Sequence, residues 1–587
     1  MTIDLLPPPA PEADLPDESE PLVEASARPL ALRLRAPAAA SAVLSLVLVI
    51  GDKLPSVDGV AYFEAGRNLL SGKGYTRQGR PELHFPPLAP VSLGLLEKLT
   101  GSEMAALRIW NFTWGLAVVA LVVALAYRLS RDHDVTVAVA WVAGTVAGLV
   151  PTFVRKGGGS EAPATAFLLG AALVAIVAFE GRGVLAPKPR SEHRRLVMLA
   201  GAGALVGLAY LARPESLLPG ALIGVAAVWV TIRDPGPVIG RVRALVPRAL
   251  AFGAALLLFV VPYLSFLHGI TGSWSPTAKT QDASIQAWKA VAENDRLERD
   301  RILYAVDSSG ISIGRKTKSL TALAREDPST WLQIVRINAS NIGQEFLLPR
   351  FGFGPDWVLA PVVFIPPALA LLWRQRRRRP VRLLAAMSAG PLLTCLVFFT
   401  QPRYLVMATA LLVLFGTWGL VEWSRTWKPK MRTGAWLVVG VLIACGTITE
   451  IGPFLPGLRT TDPLEQRTAG VWIADHTPED ARIMTRSFHV QAYAKRTTVA
   501  LPSTDYVTMM RFARRLGVSY VVADESTISR RRPELSPALL GTWSPPGLKL
   551  VHQFVENGQE VRIFRLDPPA PSTDRPPLPL GYVSDGG

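Results

Sequence analysis

The chain has 587 residues, 49% of them hydrophobic, and its mean hydropathy is +0.28. It is too apolar and too long for one soluble domain. The formal net charge of +16 would suit nucleic acid, but the basic residues lie in short loops and form no patch interleaved with aromatic residues. Composition therefore predicts a polytopic membrane protein and argues against a nucleic-acid partner.

Apolar runs of roughly 17 to 22 residues, long enough to cross a bilayer as helices, recur along the chain. The eleven predicted spans cover 36–51, 104–127, 135–153, 162–179, 196–212, 215–232, 249–267, 357–373, 383–399, 405–422 and 434–451. Arginine and lysine cluster in the loops at 128–131, 182–195, 233–248, 374–379 and 425–432. These loops all fall on one side, which the positive-inside rule identifies as cytoplasmic. We expect an integral plasma (inner) membrane protein with a cytoplasmic N-terminus.

Two tails are expected to be disordered. Residues 1–33 are rich in proline and acidic residues, and 568–587 are rich in proline, so neither can bury a core. No charged-then-apolar signal peptide opens the chain, because the first apolar run begins only after Arg33 and Arg35.

Between the tails we predict a transmembrane module at 34–454, with outer loops at 51–103 and 268–355. In the second loop an amphipathic helix should begin at Pro328, after Asp327. Residues 455–567 should form a small extracytoplasmic α/β domain. Its predicted elements are a helix around 471–473, strands at 481–484, 498–501 and 518–522, a helix over 505–516, and a last strand at Ile563 and Phe564. It contains no glycine-rich phosphate loop.

The first outer loop opens with a helical pattern between residues 58 and 75. Asp58 stands where a helix N-cap is expected, and Gly72 and Gly74 should close the helix. Tyr62, Ala65 and Leu69 recur at helical spacing, so this face is expected to lie against the membrane surface. For a lone aspartate, a plain capping role is the simplest interpretation.

Polar residues far apart in the chain are nevertheless all predicted at the outer ends of spans. They are Asp58, His84, Glu161, Arg213, Glu215, Arg403 and Tyr404. Ionisable groups at that depth can line a shared cavity, where their desolvation cost is lower than in mid-membrane. Taken singly, Arg403 and Tyr404 would be interface anchors. As a set, they favour a cavity on the outer face.

The same segments carry a resemblance to a family. The segments are Asp58–Tyr75 with its Tyr62 and Asn68, Pro86-Pro87-Leu88, Ser160-Glu161-Ala162-Pro163, Gly207 to Glu215 with its Ala-Arg-Pro-Glu end, and Arg403-Tyr404-Leu405. Together they resemble the GT-C membrane glycosyltransferases, and within these the family 39-like group of protein mannosyltransferases and the aminoarabinose transferase of lipid A. The resemblance covers the first ten spans.

It implies an enzyme that takes a sugar from a polyprenyl-phosphate donor at the outer face, usually with inversion. Asp58 would be the general base and Glu161 the acidic residue of the second outer loop. Arg213 would contact the donor phosphate. Tyr62, His84, Glu215, Arg403 and Tyr404 would complete the substrate site.

One departure from the family matters. The aminoarabinose transferase has a Glu-Lys pair before Pro-Pro-Leu, whereas this chain has His84 and Phe85. The phosphate contact of that lysine is therefore not carried over. No ligand spacing supports zinc at His84, so the sequence leaves a divalent metal cofactor undecided.

The implied chemistry is consistent with these residues. An acceptor hydroxyl or amine, on a lipid, glycan or protein, needs a base, and one carboxylate suffices. The leaving lipid phosphate needs positive charge, from Arg213, Arg403 or a metal. The competing class is a transporter or flippase of lipid-linked sugars, with mid-membrane binding groups and repeated halves. The sequence shows neither, which favours the enzyme; a structural scaffold is a poorer third interpretation.

Overall fold

A computed structural model describes residues 34–43, 46, 54–130, 132–149, 159–180, 191–233, 237–278, 284–307, 320–347, 364–398, 400–434, 436–437, 440–441, 462–542 and 545–567. Both predicted disordered tails lie outside these ranges. So does most of the last predicted span, 434–451.

The structure consists of a bundle of long helices, a compact first outer loop and a C-terminal α/β domain. The bundle helices are α3 (Glu103–Leu129), α4 (His133–Leu149), α5 (Glu161–Glu180), α6 (Glu192–Ala212), α7 (Leu217–Ile232), α8 (Val238–Thr271), α13 (Ile365–Arg374), α14 (Arg379–Val397) and α15 (Val406–Ser424). Helices α1 (Val57–Leu70) and α2 (Leu88–Thr100) form the first outer loop, with the short strands β1 (Thr76–Arg77) and β2 (Arg80–Pro81) between them.

Seven helical segments among the described residues are long and apolar enough to cross a membrane. They correspond to the predicted spans at 104–127, 162–179, 196–212, 215–232, 249–267, 383–399 and 405–422. Helix α4 has a shorter apolar stretch, Asp134–Ala147, and α13 has 10 residues. A helical membrane protein is therefore confirmed, whereas the total of eleven spans remains a prediction.

Helix α15 lies at the centre of the bundle. Of the residues in its apolar, membrane-spanning stretch, 89% are buried inside the protein, which is the highest share among the seven spanning segments. Its Val413, Leu414 and Trp418 belong to the largest apolar cluster. Elsewhere helices approach closely through glycine: a Cβ on Gly203 would lie 2.1 Å from the carbonyl oxygen of Phe252, so α6 and α8 can only cross with glycine there.

The first outer loop corrects two expectations. The N-cap of α1 is Ser56, whose hydroxyl accepts a hydrogen bond from the Gly59 amide at 3.1 Å, so Asp58 lies within the first helical turn. Tyr62 and Ala65 are buried in protein rather than facing a membrane, because α1 packs against α2. Glycines 72 and 74 do follow the helix, both with positive φ.

The second outer segment forms α9 (Ile285–Ala292), α10 (Arg296–Leu303), α11 (Leu320–Glu326) and α12 (Pro328–Leu347). Helix α12 begins at the predicted residue, and Asp327 accepts a hydrogen bond from the Thr330 amide at 3.0 Å. Its Ile334 is buried in a cluster with Trp288 of α9. We call residues 284–307 the cover segment, because they lie over the cavity described below.

The C-terminal domain is an α/β unit, as predicted, and its sheet has five strands where the sequence indicated four. Its strands are β3 (Arg482–Thr485), β4 (Thr497–Ala500), β5 (Tyr520–Asp524), β6 (Leu548–Glu556) and β7 (Gln559–Leu566), in the order β4-β3-β5-β7-β6. The first three are parallel, and β7 and β6 are antiparallel. The domain helices are α16 (Leu464–His476), α17 (Phe488–Ala494), α18 (Tyr506–Arg515), α19 (Glu525–Arg531) and α20 (Ser536–Leu539).

This domain is docked on the first outer loop. The Tyr493 hydroxyl donates to a Glu103 carboxylate oxygen at 2.8 Å, and the Thr498 hydroxyl donates to the side-chain oxygen of Gln78 at 3.0 Å. One ring nitrogen of His489 lies 2.9 Å from the Pro55 carbonyl oxygen. The C-terminal domain therefore sits at the end of the bundle that carries the N-termini of α1 and α5.

The loop charges predict that this end faces away from the cytoplasm. A reporter that is active only in the cytoplasm, fused after Pro453, is expected to give no signal. The same reporter fused in the basic loop 374–379 is the positive control. A strong signal after Pro453 would overturn the count of eleven spans and with it the shared outer face.

Candidate active site

A cavity of about 470 Å³ opens at the end of the bundle beneath the C-terminal domain. All eight residues singled out in the sequence line it: Asp58, Tyr62, His84, Glu161, Arg213, Glu215, Arg403 and Tyr404. They come from four separate parts of the chain. The fold thus brings them to one place.

Asp58 is held by an arginine from the far end of the sequence. The Arg403 Nη1 lies 2.7 Å from the Asp58 Oδ2, and its Nε lies 2.8 Å from the Gln401 Oε1. The Asp58 side chain keeps 17% of its surface exposed and Arg403 keeps 30%. Because Ser56 caps the helix, the Asp58 carboxylate is free of the backbone and faces the cavity.

A second ion pair lies beside the first. The Arg213 Nη1 lies 2.5 Å from the Glu161 Oε1, and its Nη2 lies 3.4 Å from the Glu215 Oε1. Glu161 begins α5, while Arg213 and Glu215 lie in the turn between α6 and α7. The Arg403 Nε lies 3.8 Å from the same Glu161 oxygen, so the two ion pairs form one network.

Tyr404 joins the two guanidinium groups. Its ring centroid lies 4.6 Å from the Arg213 Cζ and 5.0 Å from the Arg403 Cζ. Its hydroxyl accepts a hydrogen bond from the Arg403 Nη2 at 3.0 Å. Cation–π contact with two arginines fixes both cations on one side of the cavity.

Tyr62 contributes a neutral donor. Burial, together with the nearby Asp58 and Glu161 carboxylates, raises the pKa of the Tyr62 phenol well above its usual value. The phenol therefore stays protonated and donates to the Ser160 hydroxyl at 3.3 Å. Ser160 is also 3.5 Å from the Arg213 Nη1. Ser160 belongs to the motif Ser160-Glu161-Ala162-Pro163, but its sequence context did not predict a place in the site.

The backbone beneath His84 is held by a residue that the sequence analysis missed. Glu82 is buried, pairs with Arg77, and accepts hydrogen bonds from the amides of His84 at 2.7 Å and Phe85 at 3.1 Å. The Tyr75 hydroxyl donates to the Phe85 carbonyl oxygen at 2.6 Å. These hydrogen bonds fix the backbone position from which the His84 side chain lines the cavity.

The remaining walls were not foreseen. The cover segment contributes Trp288, Arg299, Leu303 and Tyr304. An apolar wall toward the bundle is made by α5, α7, α14 and α15, with Leu168, Leu217, Leu218, Pro391 and Met407 among its side chains. The cavity is therefore charged at one end and apolar along the other, which suits a ligand with a polar head and an apolar body.

Within the described ranges, no group of three or more histidine, cysteine, aspartate or glutamate side chains is arranged to hold a metal ion. Both cavity carboxylates with the shortest contacts, Asp58 and Glu161, are paired with arginine.

Comparisons with known proteins place the fold. No family model matches the chain, and no curated protein matches it. Among solved structures, it is similar to an Archaeoglobus fulgidus oligosaccharyltransferase in the apo form, with a TM-score of 0.54, 13% identity, and coverage of 84% of this chain and 70% of that one. It is also similar to ArnT from Cupriavidus metallidurans bound to undecaprenyl phosphate, with a TM-score of 0.52, 14% identity, and coverage of 90% and 97%.

A further similar structure is the archaeal oligosaccharyltransferase AglB from Archaeoglobus fulgidus in complex with an inhibitory peptide and a dolichol-phosphate. The TM-score is 0.50 at 13% identity, over 90% of this chain and 74% of that one. Together these matches confirm the resemblance drawn from the sequence motifs at the level of the fold: the chain has the GT-C fold of membrane glycosyltransferases.

Proposed function

We propose that the protein is a glycosyltransferase that moves a sugar from a polyprenyl-phosphate donor to a hydroxyl or amine acceptor in this cavity. The observation that carries the proposal is the convergence of two acid–arginine pairs, from separate parts of the chain, in a cavity with one apolar wall. The structural relatives with an undecaprenyl phosphate and a dolichol-phosphate support the donor class.

In this proposal the donor phosphate lies against Arg213 and Arg403. Both cations are already fixed by Tyr404, so little reorganisation is needed when negative charge develops on the leaving phosphate. The polyprenyl chain follows the apolar wall toward the membrane. Glu161 and Glu215 orient Arg213 for this contact.

Asp58 then acts as the general base. It accepts the proton of the acceptor group, whose oxygen or nitrogen attacks the anomeric carbon while the bond from that carbon to the phosphate oxygen breaks. The products are the glycosylated acceptor and the polyprenyl phosphate. Attack by one activated acceptor opposite the leaving group inverts the anomeric centre, by the geometry that governs inverting hydrolases. No general acid is required, because the phosphate is a good leaving group.

A competing role as a transporter of lipid-linked sugars would need binding but no base. Purified full-length protein, incubated with a panel of polyprenyl-phosphate sugars and simple alcohol and amine acceptors, is expected to release polyprenyl phosphate. The Asp58→Asn protein, prepared in parallel, is the control for contaminating activities. If at least one donor of the panel binds but no lipid phosphate is released with any acceptor, the result would favour the transporter.

A further inference from the structure

The carboxyl ends of the parallel strands in the C-terminal domain face the cover segment. In open α/β sheets this edge is the usual place for a ligand. Here Arg486 directly follows β3, and Arg531 and Arg532 lie at the end of α19, which follows β5. The group that lies among these arginines is Asp300, from α10 of the cover segment.

Asp300 is completely buried and paired with all three arginines. The Arg486 Nε and Nη2 lie 2.8 and 3.1 Å from its two carboxylate oxygens, which is a bidentate contact. The Arg531 Nη1 lies 3.0 Å away, and the Arg532 Nη1 lies 3.3 Å away. Each of the three partners belongs to the C-terminal domain, so the carboxylate joins two units that are distant in sequence.

Electrostatics supports this arrangement. Burial alone would raise the pKa of the Asp300 carboxyl, but the attraction of Arg486 and its hydrogen bonds outweigh burial and hold the pKa at about 2. The carboxylate is therefore ionised at neutral pH. Without the Asp300 carboxylate the three guanidinium groups would repel one another, because they are held close together in a site with little water.

The attachment continues along the backbone next to Asp300. The Ser503 amide donates to the Tyr304 carbonyl oxygen at 3.0 Å, and Ala305 pairs with Ser503 as an isolated parallel bridge. The Tyr304 ring lies under the Arg486 and Arg532 guanidinium groups, at 4.6 and 5.4 Å from their Cζ atoms.

The same stretch of chain lines the cavity. Arg299, Leu303 and Tyr304 all face it, and they lie within four residues of Asp300. One side of α10 is thus attached to the C-terminal domain while the other forms a wall of the cavity. Releasing Asp300 would free that wall, although Asp300 does not line the cavity itself.

We propose that Asp300 is a positioning residue that locks the cover segment to the C-terminal domain and thereby holds Arg299 and Tyr304 against the cavity. Its kinetic consequence rests on the proposed transferase function, whereas its structural consequence does not. The C-terminal domain is then part of the device that shapes the substrate cavity, with no reaction chemistry of its own.

Limited trypsin digestion of the full-length protein tests the lock without any activity assay. Trypsin can cut the cover segment after Lys289, Arg296, Arg299 and Arg301. Residue 300 adjoins the last two sites and its substitution would itself alter their cleavage, so the sites compared are those after Lys289 and Arg296. Asp300→Asn keeps the shape of the side chain and removes its charge, so cleavage at these sites should become about 10²-fold faster, because cleavage follows the population of the released segment. The matched control is Glu298→Gln, an exposed acid on the same helix, which should digest like the wild type.

Two results would overturn the lock. The first is wild-type protection in Asp300→Asn. The second is faster cleavage spread evenly over residues 462–567, which would make Asp300 a general stability residue of the domain. Because Asp300→Asn leaves three arginines without their anion, Arg531→Gln provides a milder second variant: Arg531 is the most exposed of the three partners, and its loss should accelerate cover-segment cleavage by about tenfold.

Rescue by a cross-link tests the positioning role. Partners in a β-bridge lie roughly 5 Å apart, which a disulfide can join. Ala305→Cys with Ser503→Cys, in a chain whose Cys395 and Cys445 are alanine, should restore both protection and turnover to Asp300→Asn when oxidised. If the cross-linked protein is protected from trypsin but its turnover stays as low as that of Asp300→Asn, the positioning role of Asp300 is wrong. If no variant, including the wild type, released lipid phosphate, the transferase proposal would fail while the digestion result still stood.

Discussion

Replacing Asp58 with asparagine is expected to lower turnover by roughly 10²–10⁴-fold while donor binding stays near normal, because an amide cannot accept the acceptor's proton. The fold should tolerate the change. Ser56 caps α1, so the helix loses only a charge near its N-terminus, which is worth about 0.3–1 kcal/mol. The ion pair with Arg403 is lost as well, but an asparagine oxygen can still accept a hydrogen bond from that guanidinium group. Arg403 retains Gln401 and Tyr404 as hydrogen-bond partners.

The matched control is Asp132→Asn. Asp132 also pairs with an arginine, Arg425, but at the opposite end of the bundle, beyond the C-terminus of α3. It should lose its ion pair without losing turnover. Turnover, donor binding and metal dependence are measured for both variants. Wild-type turnover in Asp58→Asn would remove Asp58 as the base, and activity restored by excess divalent ion would assign it to a metal instead.

Replacing Arg213 with alanine is expected to lower turnover by roughly 10²–10³-fold, because a fixed cation contributes most as charge develops on the leaving phosphate. Arg213→Lys should recover part of this loss, since lysine keeps the charge but cannot form the forked contact. Full activity in Arg213→Ala would exclude it from the site. The corresponding control at the other end of the bundle is Arg425→Ala.

The alanine variant has a second consequence that must be separated from the first. Only 6% of the Glu161 side chain is exposed, so loss of Arg213 leaves a nearly buried carboxylate without its closest partner. That loss can destabilise the protein by about 3–5 kcal/mol. The double variant Arg213→Ala with Glu161→Gln removes the unpaired charge. If turnover recovers with stability in the double variant, Arg213 acts on folding and not on the phosphate.

Hydropathy and loop charge were enough to predict the membrane bundle, because a span of apolar residues is a local property of the sequence. The same reasoning placed seven polar residues at one end, and the family resemblance added Tyr62; the structure brings all eight to one cavity. The pairing of Asp58 with Arg403 could not be predicted in this way. The two residues are 345 positions apart, and only the tertiary fold brings the turn Pro402–Leu405, which precedes α15, to the start of α1.

The predictions that were wrong or incomplete have separate physical causes. Ser56 and Asp58 are both good N-cap residues; Ser56 caps the helix, and Asp58 pairs with an arginine whose position the local sequence does not reveal. The hairpin of β6 and β7 was only half predicted, although Asn557 and Gly558, both with positive φ, form a typical hairpin turn sequence. The cover segment has no local pattern that indicates a cavity wall, since its anchors lie nearly 190 residues away, as in the contact between Asp300 and Arg486.

The burial of α15 also implies that the two sides of the cavity differ in mobility. Arg403 and Tyr404 stand at the start of a helix surrounded by protein along nearly its whole length, and shifting such a helix would require repacking the bundle. Of the two cations that we propose for the donor phosphate, Arg403 is therefore attached to the most deeply buried helix, and Tyr404 holds Arg213 beside it. The opposite wall is the cover segment, whose attachment to the C-terminal domain depends on a few polar contacts centred on Asp300. If the proposed transferase exchanges its substrates through this wall, the precision of catalysis and the exchange of substrates depend on different parts of one cavity, and the trypsin experiment measures the release of the cover segment alone.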